Sequence, residues 1–476
     1  MPRIPFVGPS YVYNSVNYDA QRSLNMFPVA SDVETSKDII AMAPTPGLKL
    51  FKTLPAGRIR GGIKAKRRVF FVAASKLYEL YADKTFIERG TLDTSSGRVS
   101  MAHNGQQVML VDGPNGYVFN LVTLNFTKIT SPGWRGARTV AYVDGYFLMS
   151  QPESGIYYIT QLYDGTSLDS LDFASAEGSP DDIVAVEEVH KEVWLFGEDS
   201  VEVVFNSGAA DFPFTRIQGA FIQYGCVAPY SVAKTANTVF WLGRDEEGEG
   251  IVWMAEGYQP RRISTYAVEQ AIQSYGSMAD ATGHTYQENG VYFYCLSFPT
   301  ANTTWVYDIN LGQWHERAYF KDGAYSRHRA DCHVLGFGLH LVGDYENGNI
   351  YEQSQKYQDD DGQEIRRERT LPHIADNQEL EPIIFDRFQL DMQTGIGAAT
   401  GQSHDVDPKI MLQWSDDGGR TFGNEHWESV GKMGEYKHRV AWRRLGRARD
   451  RVFRIAFTAR APLFVIGATT KARKTR

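Results

Sequence analysis

The chain has 476 residues, of which 42% are hydrophobic and 22% charged, as is usual for a folded protein of two or three domains. No run of about 18 apolar residues occurs, so we expect no membrane-spanning helix, and the first nine residues lack the apolar core of a signal peptide. The three cysteines, Cys226, Cys295 and Cys332, are too few and too unevenly spaced for a disulfide framework, which favours folding in a cytoplasm.

The charge is distributed unevenly along the chain. The net charge is −8, but residues 437–476 contain 13 Lys and Arg residues and one acidic residue, Asp450, for a net +12. Such asymmetry indicates a charged partner, either acidic neighbours in an assembly or the phosphates of a nucleic acid. Because the whole chain is acidic, general binding to DNA is disfavoured.

Residues 1–57 are predicted to form an N-terminal arm. This segment is rich in Pro, Asn and Tyr. It ends at the turn Pro44-Thr45-Pro46-Gly47-Leu48, which leads into a regular repeat. We expect the arm to contribute to a platform together with the C-terminal segment.

A short apolar and aromatic strand recurs through residues 58–356, each time followed by a turn and a second strand. The repeats are spaced by 39, 38, 47, 46, 52 and 48 residues. They begin at Val69, Val108, Tyr146, Val193, Val239, Val291 and Leu339. Hairpins repeating every 40 to 50 residues are typical of a β-propeller, because each blade buries its faces against its neighbours. We predict about seven blades, with six possible if one unit is shared; the alternative is a set of unrelated hairpins in a sandwich.

The rest of the chain is predicted to be a linker and a second β-rich domain. Residues 357–370 are polar and assigned as the linker, and residues 371–476 as a β-sandwich-like platform domain. Strands are expected at 383–392, 409–415, 439–443, 452–457 and 463–466. Residues 394–405 are expected to be a mobile loop, and one short helix is expected near 265–275.

One motif in the C-terminal domain matches the Asp-box of sialidases and related propeller glycosidases. It comprises Ser415, Asp417, Gly419, Thr421 and Phe422. In this motif the Asp side chain accepts amide bonds in a hairpin turn whose glycines take positive φ. It occurs once and outside the repeat, which favours a structural turn, with a propeller glycosidase as the alternative.

Other motifs for chemistry are weak. No zinc spacing is matched by His315, His328, Cys332 and His333. We interpret this segment as a surface loop with incidental histidines. The acidic runs 359–361 and 405–407 lack the glycine and glutamate of a calcium loop. There is no nucleophile elbow, P-loop or dinucleotide fingerprint. We therefore predict no catalytic residue, no metal and no cofactor.

The arginine-rich segment after the Asp-box is the candidate interface. Its arginines alternate with apolar residues, which on a strand would place the charges on one face. We predict an inter-subunit or adaptor interface made of Arg443, Arg444, Arg447 and Arg449. Arg451 and Arg454 are expected on the same face, and contact with DNA phosphates is the alternative.

Three blocks of sequence resemble the packaged-DNA stabilisation proteins of podoviruses, the tail accessory factors or nozzles typified by phage P22. The blocks are Tyr18 to Pro28 with Thr45 to Leu48, Arg98 to Gly105 with Val111 to Gly113, and Leu412 to Gly446. The third block is the most specific. The basic end, residues 471–476, departs from the resemblance.

The resemblance implies a structural virion protein of a short tail, without catalytic residues. Such proteins form a ring, usually a hexamer, below the portal and the head-to-tail adaptor, close the DNA channel after packaging and conduct DNA during ejection. The implied partners are further copies of the chain, portal and adaptor, tail fibre, spike or needle proteins, and viral DNA bound without sequence specificity. A glycosidase and a propeller that binds host-surface glycans are the alternative functions.

Overall fold

Seven radial β-sheets account for the middle of the chain in the computed structural model, which describes residues 3–33, 35–235, 237–245, 248–376 and 381–474. We call the seven sheets blades 1 to 7, and each of the first six is formed by one continuous stretch of the sequence. Blades 1 to 4 have four antiparallel strands each. Blade 1 comprises Ile59–Ala65, Arg68–Ala73, Lys76–Leu80 and Phe86–Thr91, and blade 2 comprises Ser100–His103, Gln107–Val111, Gly116–Asn120 and Phe126–Lys128. Blade 3 comprises Val140–Val143, Tyr146–Ser150, Ile156–Ile159 and Phe173–Ser175, and blade 4 comprises Ile183–Val189, Glu192–Gly197, Val201–Asn206 and Phe214–Ile222.

The remaining blades complete the ring. Blade 5 comprises Gly225–Cys226, Ala233–Thr235, Thr238–Asp245, Gly248–Glu256 and Gln259–Arg262. Blade 6 comprises Thr282–Glu288, Val291–Phe298, Thr303–Asp308 and Gln313–Lys321. Blade 7 is composite: Ala330–Gly336, Leu339–Asp344 and Asn349–Ser354 pair with an N-terminal strand, Gly47–Thr53. The innermost strands of neighbouring blades contact one another, except between blades 4 and 5, where Ile183–Val189 contacts the turn Pro229–Ser231. The innermost strand of blade 7 contacts that of blade 1, which closes a propeller.

The blades stack because their second strands are apolar on both sides. In blade 1, Phe70 packs in one cluster with Leu110 of blade 2. Its neighbour Phe71 packs in another cluster with Leu341 and Ile350 of blade 7. Since successive side chains of a strand point to opposite faces, one strand supplies two inter-blade cores. The predicted strands after each repeat start are these second strands, and their partners are the third.

Two further sheets form a β-sandwich from both ends of the chain. The first, here the front sheet, continues from blade 6, because Ala20–Leu24 pairs in parallel with Gln313–Lys321 at Leu24 and Glu316. From Ala20–Leu24 it runs through Arg367–Thr370, Asp450–Phe457, Lys409–Ser415 and His426–Ser429, with Tyr11–Val12 and Ile374–Ala375 attached. The second, the back sheet, runs Met26–Ala30, Ile40–Pro44, Val465–Lys474, Ile383–Met392 and Ala441–Arg443, with Arg3–Ile4 and Arg447–Ala448 attached. The predicted fold class, a propeller with a platform built from the N- and C-terminal segments, is therefore confirmed.

The sandwich core is a single apolar cluster that draws on both ends of the chain. Phe6 and Met26 from the arm pack with Phe388, Phe453 and Leu463 from the C-terminal segment, and all five are almost fully buried. The arm also joins the sandwich to the propeller. Phe27 packs edge-on against Phe293 of blade 6, with 5.2 Å between the ring centroids.

The segment predicted as a linker contains strands. Asp359–Asp360 pairs with Gln363–Glu364 and with the closing strand Gly47–Thr53, and Arg367–Thr370 lies in the front sheet. The predicted mobile loop likewise contains a short helix, Ser403–Val406. The domain boundaries within residues 357–370 stay a prediction.

The described residues contain one helix of two turns, Tyr266–Gln273, where a short helix was predicted. The side chain of Thr265 accepts a hydrogen bond from the backbone amide of Val268, which caps the first turn. A 3-10 turn, Pro229–Ser231, lies within blade 5 between the strands Gly225–Cys226 and Ala233–Thr235. No helix in the described part of the chain has the length and apolar character needed to cross a membrane.

Candidate functional site: an arginine-rich edge of the sandwich

The Asp-box forms a hydrogen-bonded turn after the strand Lys409–Ser415. The hydroxyl of Ser415 donates to Oδ1 of Asp417 at 2.6 Å and accepts the amide of Gly419 at 2.8 Å. The same Asp417 carboxylate accepts the amide and hydroxyl of Thr421, at 2.9 and 2.6 Å. These bonds, first that of Ser415 and then those of Thr421, lower the pKa of Asp417 far below its ordinary range. The residues thus adopt the arrangement that the motif predicts.

The turn fastens the N-terminal arm. Gly418 and Gly419 have φ of 77° and 93°, and a Cβ on Gly418 would lie 2.0 Å from Oδ1 of Asn17. Nη1 of Arg420 donates to the same oxygen at 2.7 Å. Glycine is therefore needed at 418 both for the backbone conformation and for the close approach of the arm. All ligands of the Asp-box are supplied by the chain itself, so the motif acts as a structural clamp.

Arg451 lies inside the protein, which corrects the prediction of a single exposed basic face. Its side chain is 2% exposed, and its guanidinium donates to both carboxylate oxygens of Asp416 at 2.6 and 2.7 Å. The charge also lies 4.7 Å from the ring centre of Phe385. Arg454 is half-buried, 3.9 Å from the ring centre of Phe422. Both arginines hold the Asp-box against the front sheet.

The other four arginines are exposed at an edge of the back sheet. Ala441–Arg443 and Arg447–Ala448 both pair with Ile383–Met392, and no strand in the described residues pairs with their other side. Trp442, Leu445 and Ala448 are buried at intervals of three residues and anchor the segment. The exposed residues are Arg443, Arg444, Arg447 and Arg449. We call these four residues the arginine edge.

The arginine edge carries four charges that are not neutralised within the subunit. None of its members makes an ion pair with another residue that the structure describes. Other exposed arginines are paired, as Arg261 is with Glu256 at 2.7 Å. Charges on an edge strand also prevent edge-to-edge aggregation, which is the structural explanation for them. The interface assigned to these four residues stays a prediction; the structure shows that they are exposed, whereas Arg451, two positions further on, is buried.

The histidines of blades 6 and 7 are not on a surface loop, contrary to the prediction. His315, on a strand of blade 6, and His328, in the connection to blade 7, are 1% and 3% exposed. Phe27 of the arm stacks on the ring of His315. Burial lowers the pKa of His315 to about 3, so it is neutral at pH 7. His333 contacts His340, with 2.9 Å between ring nitrogens. Among the described residues no three His, Cys, Asp or Glu side chains are grouped so as to hold a metal ion.

The axis of the propeller is narrow and polar. A chamber of about 190 Å³ lies between the innermost strands. Its lining includes Arg98, Tyr230 and His284. Burial disfavours the charge of Arg98, but the Asp331 carboxylate at 2.7 Å more than offsets this and raises its pKa. Tyr230, carried by the 3-10 turn, also lines a larger cavity of about 750 Å³.

Two family models describe consecutive parts of this chain. A model of the bacteriophage P22 Gp10 β-propeller matches residues 2–358, and a model of the bacteriophage P22 Gp10 β-sandwich matches residues 367–473. Together with the observed fold, these matches define a bacteriophage tail protein built from a propeller and a sandwich. The chain belongs to the P22 Gp10 family of phage structural proteins.

Solved structures are similar at low sequence identity and with TM-scores below 0.5 in the following three cases. The Pan2 WD40 domain of Neurospora crassa has 8% sequence identity and a TM-score of 0.43, covering 64% of this chain and 95% of its own. The WD40 β-propeller domain of Doa1 has 12% identity and a TM-score of 0.41, covering 65% and 97%. The N-terminal domain of Nup159 has 12% identity and a TM-score of 0.39, covering 68% and 98%. No curated protein matches the sequence.

Proposed function

We propose that this protein is the nozzle of a short phage tail, assembled as a homo-hexameric ring below the portal and adaptor. The ring closes the DNA channel after packaging and conducts DNA during ejection. The observation that carries this proposal is the match of both domains, propeller and sandwich, to the P22 Gp10 family over nearly the whole chain. As a virion component it would be assembled in the cytoplasm of the bacterial host and carry fibre, spike or needle proteins.

The size of the axial chamber supports a channel formed between subunits rather than within one. The chamber of about 190 Å³ is enclosed by the innermost strands of the blades. The major groove of B-DNA alone is about 12 Å wide, so a duplex cannot enter this chamber. A path for DNA therefore requires several copies arranged around a common axis.

The arginine edge is the proposed contact to a neighbouring subunit or to the adaptor. Residues 437–476 carry a net +12, whereas the whole chain carries −8, so the remaining surface of another copy is acidic. A head-to-tail contact between different surfaces is the kind of interface that closes rings. Non-specific contact with DNA in the channel is the alternative role for the same four side chains.

Charge reversal tests this assignment. The variant R443E/R444E/R447E should prevent ring formation and weaken binding to a portal–adaptor complex, because like charges then face the acidic neighbour. The matched control is K64E/K66E/R67E, since these three cations of blade 1 are also exposed. Sedimentation velocity gives the oligomeric state, and circular dichroism verifies that both variants are folded.

The two variants separate the proposed roles. If the arginine edge only prevents aggregation of an edge strand, reversal to glutamate will leave ring formation intact, because charge of either sign protects an edge. Intact rings with weakened retention of DNA would instead favour phosphate contact. If both variants lose assembly equally, the effect is one of net charge and the interface is elsewhere.

A further inference from the structure

The outer face of the front sheet carries a cavity that neither the fold nor the proposed ring accounts for. Met411 lies opposite Trp427 on one neighbouring strand and opposite Ala456 on the other, so the three share this face. Met411 is 1% exposed, whereas Trp427 is 52% exposed. The face thus has buried apolar side chains beside an indole that remains half in solvent. The apolar residues that line the cavity itself, besides Trp427, are Val406 and Ala459.

The walls of this cavity come from three further segments. Lys409 pairs with Ser429 two positions along the same face, and Thr458 continues the strand beyond Ala456. The short helix Ser403–Val406 and the residues around Lys432 enclose the sides. The resulting space has a volume of about 580 Å³, within the range of small-ligand sites. We call it the sandwich cavity; its lining also includes His404 and Asp407.

The charges around the sandwich cavity favour an anionic ligand. Lys409 and Lys432 are exposed, and neither has an ion-pair partner in the part of the chain that the structure describes. The acidic lining residue Asp407 is held by the hydroxyl of Ser429 at 2.6 Å. His404 is directed to other carboxylates, 3.2 Å from Glu364. The two ammonium groups are therefore the cations available to a ligand.

The flat indole restricts the class of anion. An aromatic face packs against another flat, partly apolar surface, while the hydroxyl of Thr458 and the Asp407 carboxylate can bond to hydroxyl groups. Single-stranded nucleic acid would need several aromatic platforms in series, whereas among the described residues Trp427 is the one Phe, Tyr or Trp that lines this cavity. The net charge of −8 also repels a polyanion.

We propose that the sandwich cavity binds a sugar that carries a carboxylate. The apolar face of the sugar ring lies on Trp427, and the carboxylate lies between Lys409 and Lys432. This inference does not depend on ring assembly, because all of its residues belong to one subunit. It differs from a glycan-binding propeller in that the site lies on the sandwich.

The test is calorimetric titration of the full chain with sialyllactose, glucuronic acid and, as the neutral probe, lactose. We expect saturable binding of at least one acidic sugar and at least about tenfold weaker binding of lactose, since charge-assisted hydrogen bonds are lost. W427A and K409A/K432A should each weaken binding of the acidic sugar at least about tenfold. Added salt should weaken it as well.

Matched controls come from the same part of the chain. Tyr436 is 74% exposed and Lys437 is exposed, and neither lines the cavity, so Y436A and K437A should bind as the unaltered protein does. Absence of saturable binding to either acidic sugar would overturn the proposal. So would binding that both W427A and K409A/K432A leave unchanged, or binding of a short oligothymidylate in place of the sugars.

Discussion

At the scale of single residues, Asp417 organises the contact between the two ends of the chain. Its carboxylate accepts bonds from Ser415, Arg420 and Thr421, and the turn that it shapes receives Asn17 of the arm. A motif known from glycosidases therefore serves here to join segments that are about four hundred residues apart. The motif alone could not reveal this, because Asn17 follows no pattern linking it to position 420.

Replacing Asp417 by Asn should loosen this clamp. The amide cannot accept all the bonds that the carboxylate accepts, so we expect a lower melting temperature and faster proteolysis of the arm. Because hydrogen bonds lower the folded-state pKa of Asp417, its stabilisation is present above about pH 4 and is lost as the pH falls further. The difference in melting temperature between the two proteins should therefore shrink in acid; E428Q on the adjacent strand is the control.

Asp360 should also make the stability of the folded protein depend on pH, but in the direction opposite to that of Asp417. It is buried beside the closing strand of the propeller, and burial raises its pKa to about 7 despite nearby Arg317 and Arg367. A raised pKa means that its protonated form is favoured in the folded state. The stability that this gives is complete below the ordinary pKa, near 4, and is lost as the pH rises through about 7.

The variant Asp360→Asn should be insensitive to this titration. We expect its free energy of unfolding to equal that of the unaltered protein near pH 4. At pH 8 its free energy of unfolding should be higher by at most about 4 kcal/mol. Urea denaturation at the two pH values measures the difference. The neighbouring Asp359→Asn is the control, since Asp359 faces Arg460 at 3.2 Å; equal pH profiles for both variants would contradict the assignment.

At the scale of elements, the sequence predicts the strands that are buried on both faces. The second strands of the blades, such as Arg68–Ala73, are mainly apolar runs at a regular spacing. The third strands, such as Lys76–Leu80, follow them after a short turn and are largely buried. The outer strands are not marked in this way: Phe86–Thr91 has no fully buried residue, so it resembles a loop. The spacing of the repeat could therefore be predicted from the sequence, although half of the strands in each blade could not.

The composite elements depend on contacts between distant residues, which local patterns do not encode. Gly47–Thr53 belongs to blade 7, three hundred residues later, and Arg3–Ile4 pairs with the last strand. The same limit applies to the arginines. Arg449 and Arg451 have the same local alternation, and only the position of Asp416 decides that the second is internal.

The contribution of the closing strand Gly47–Thr53 to the stability of the propeller can be tested with fragments. A fragment of residues 47–356 retains Gly47–Thr53, whose Leu48 and Phe51 are buried, and should unfold in one cooperative transition. The shorter fragment 58–356 leaves blade 7 with three strands and loses the burial of these two side chains, about 3 to 6 kcal/mol. We expect it to unfold at lower denaturant and to be cut first in blade 7; equal stability of the two fragments would contradict closure by this strand.

At the scale of the whole molecule, the two domains divide the tasks expected of a tail component. The chamber on the axis of the propeller is too small for DNA, whereas the sandwich contains strands from both ends of the chain and presents the arginine edge. The sandwich is also fastened to blade 6, where Arg22 is paired with Glu316 at 2.6 Å. This coupling means that a contact made at the arginine edge would orient the propeller as well.

The most direct test of the proposed nozzle is electron microscopy of the purified protein mixed with its portal–adaptor complex. The proposal predicts a closed ring of six copies below the adaptor, with a central channel between subunits and with Arg443, Arg444 and Arg447 buried at a contact. A protein that remains monomeric and unbound would contradict it. A ring whose arginine edge faces solvent on every copy would contradict the assigned interface.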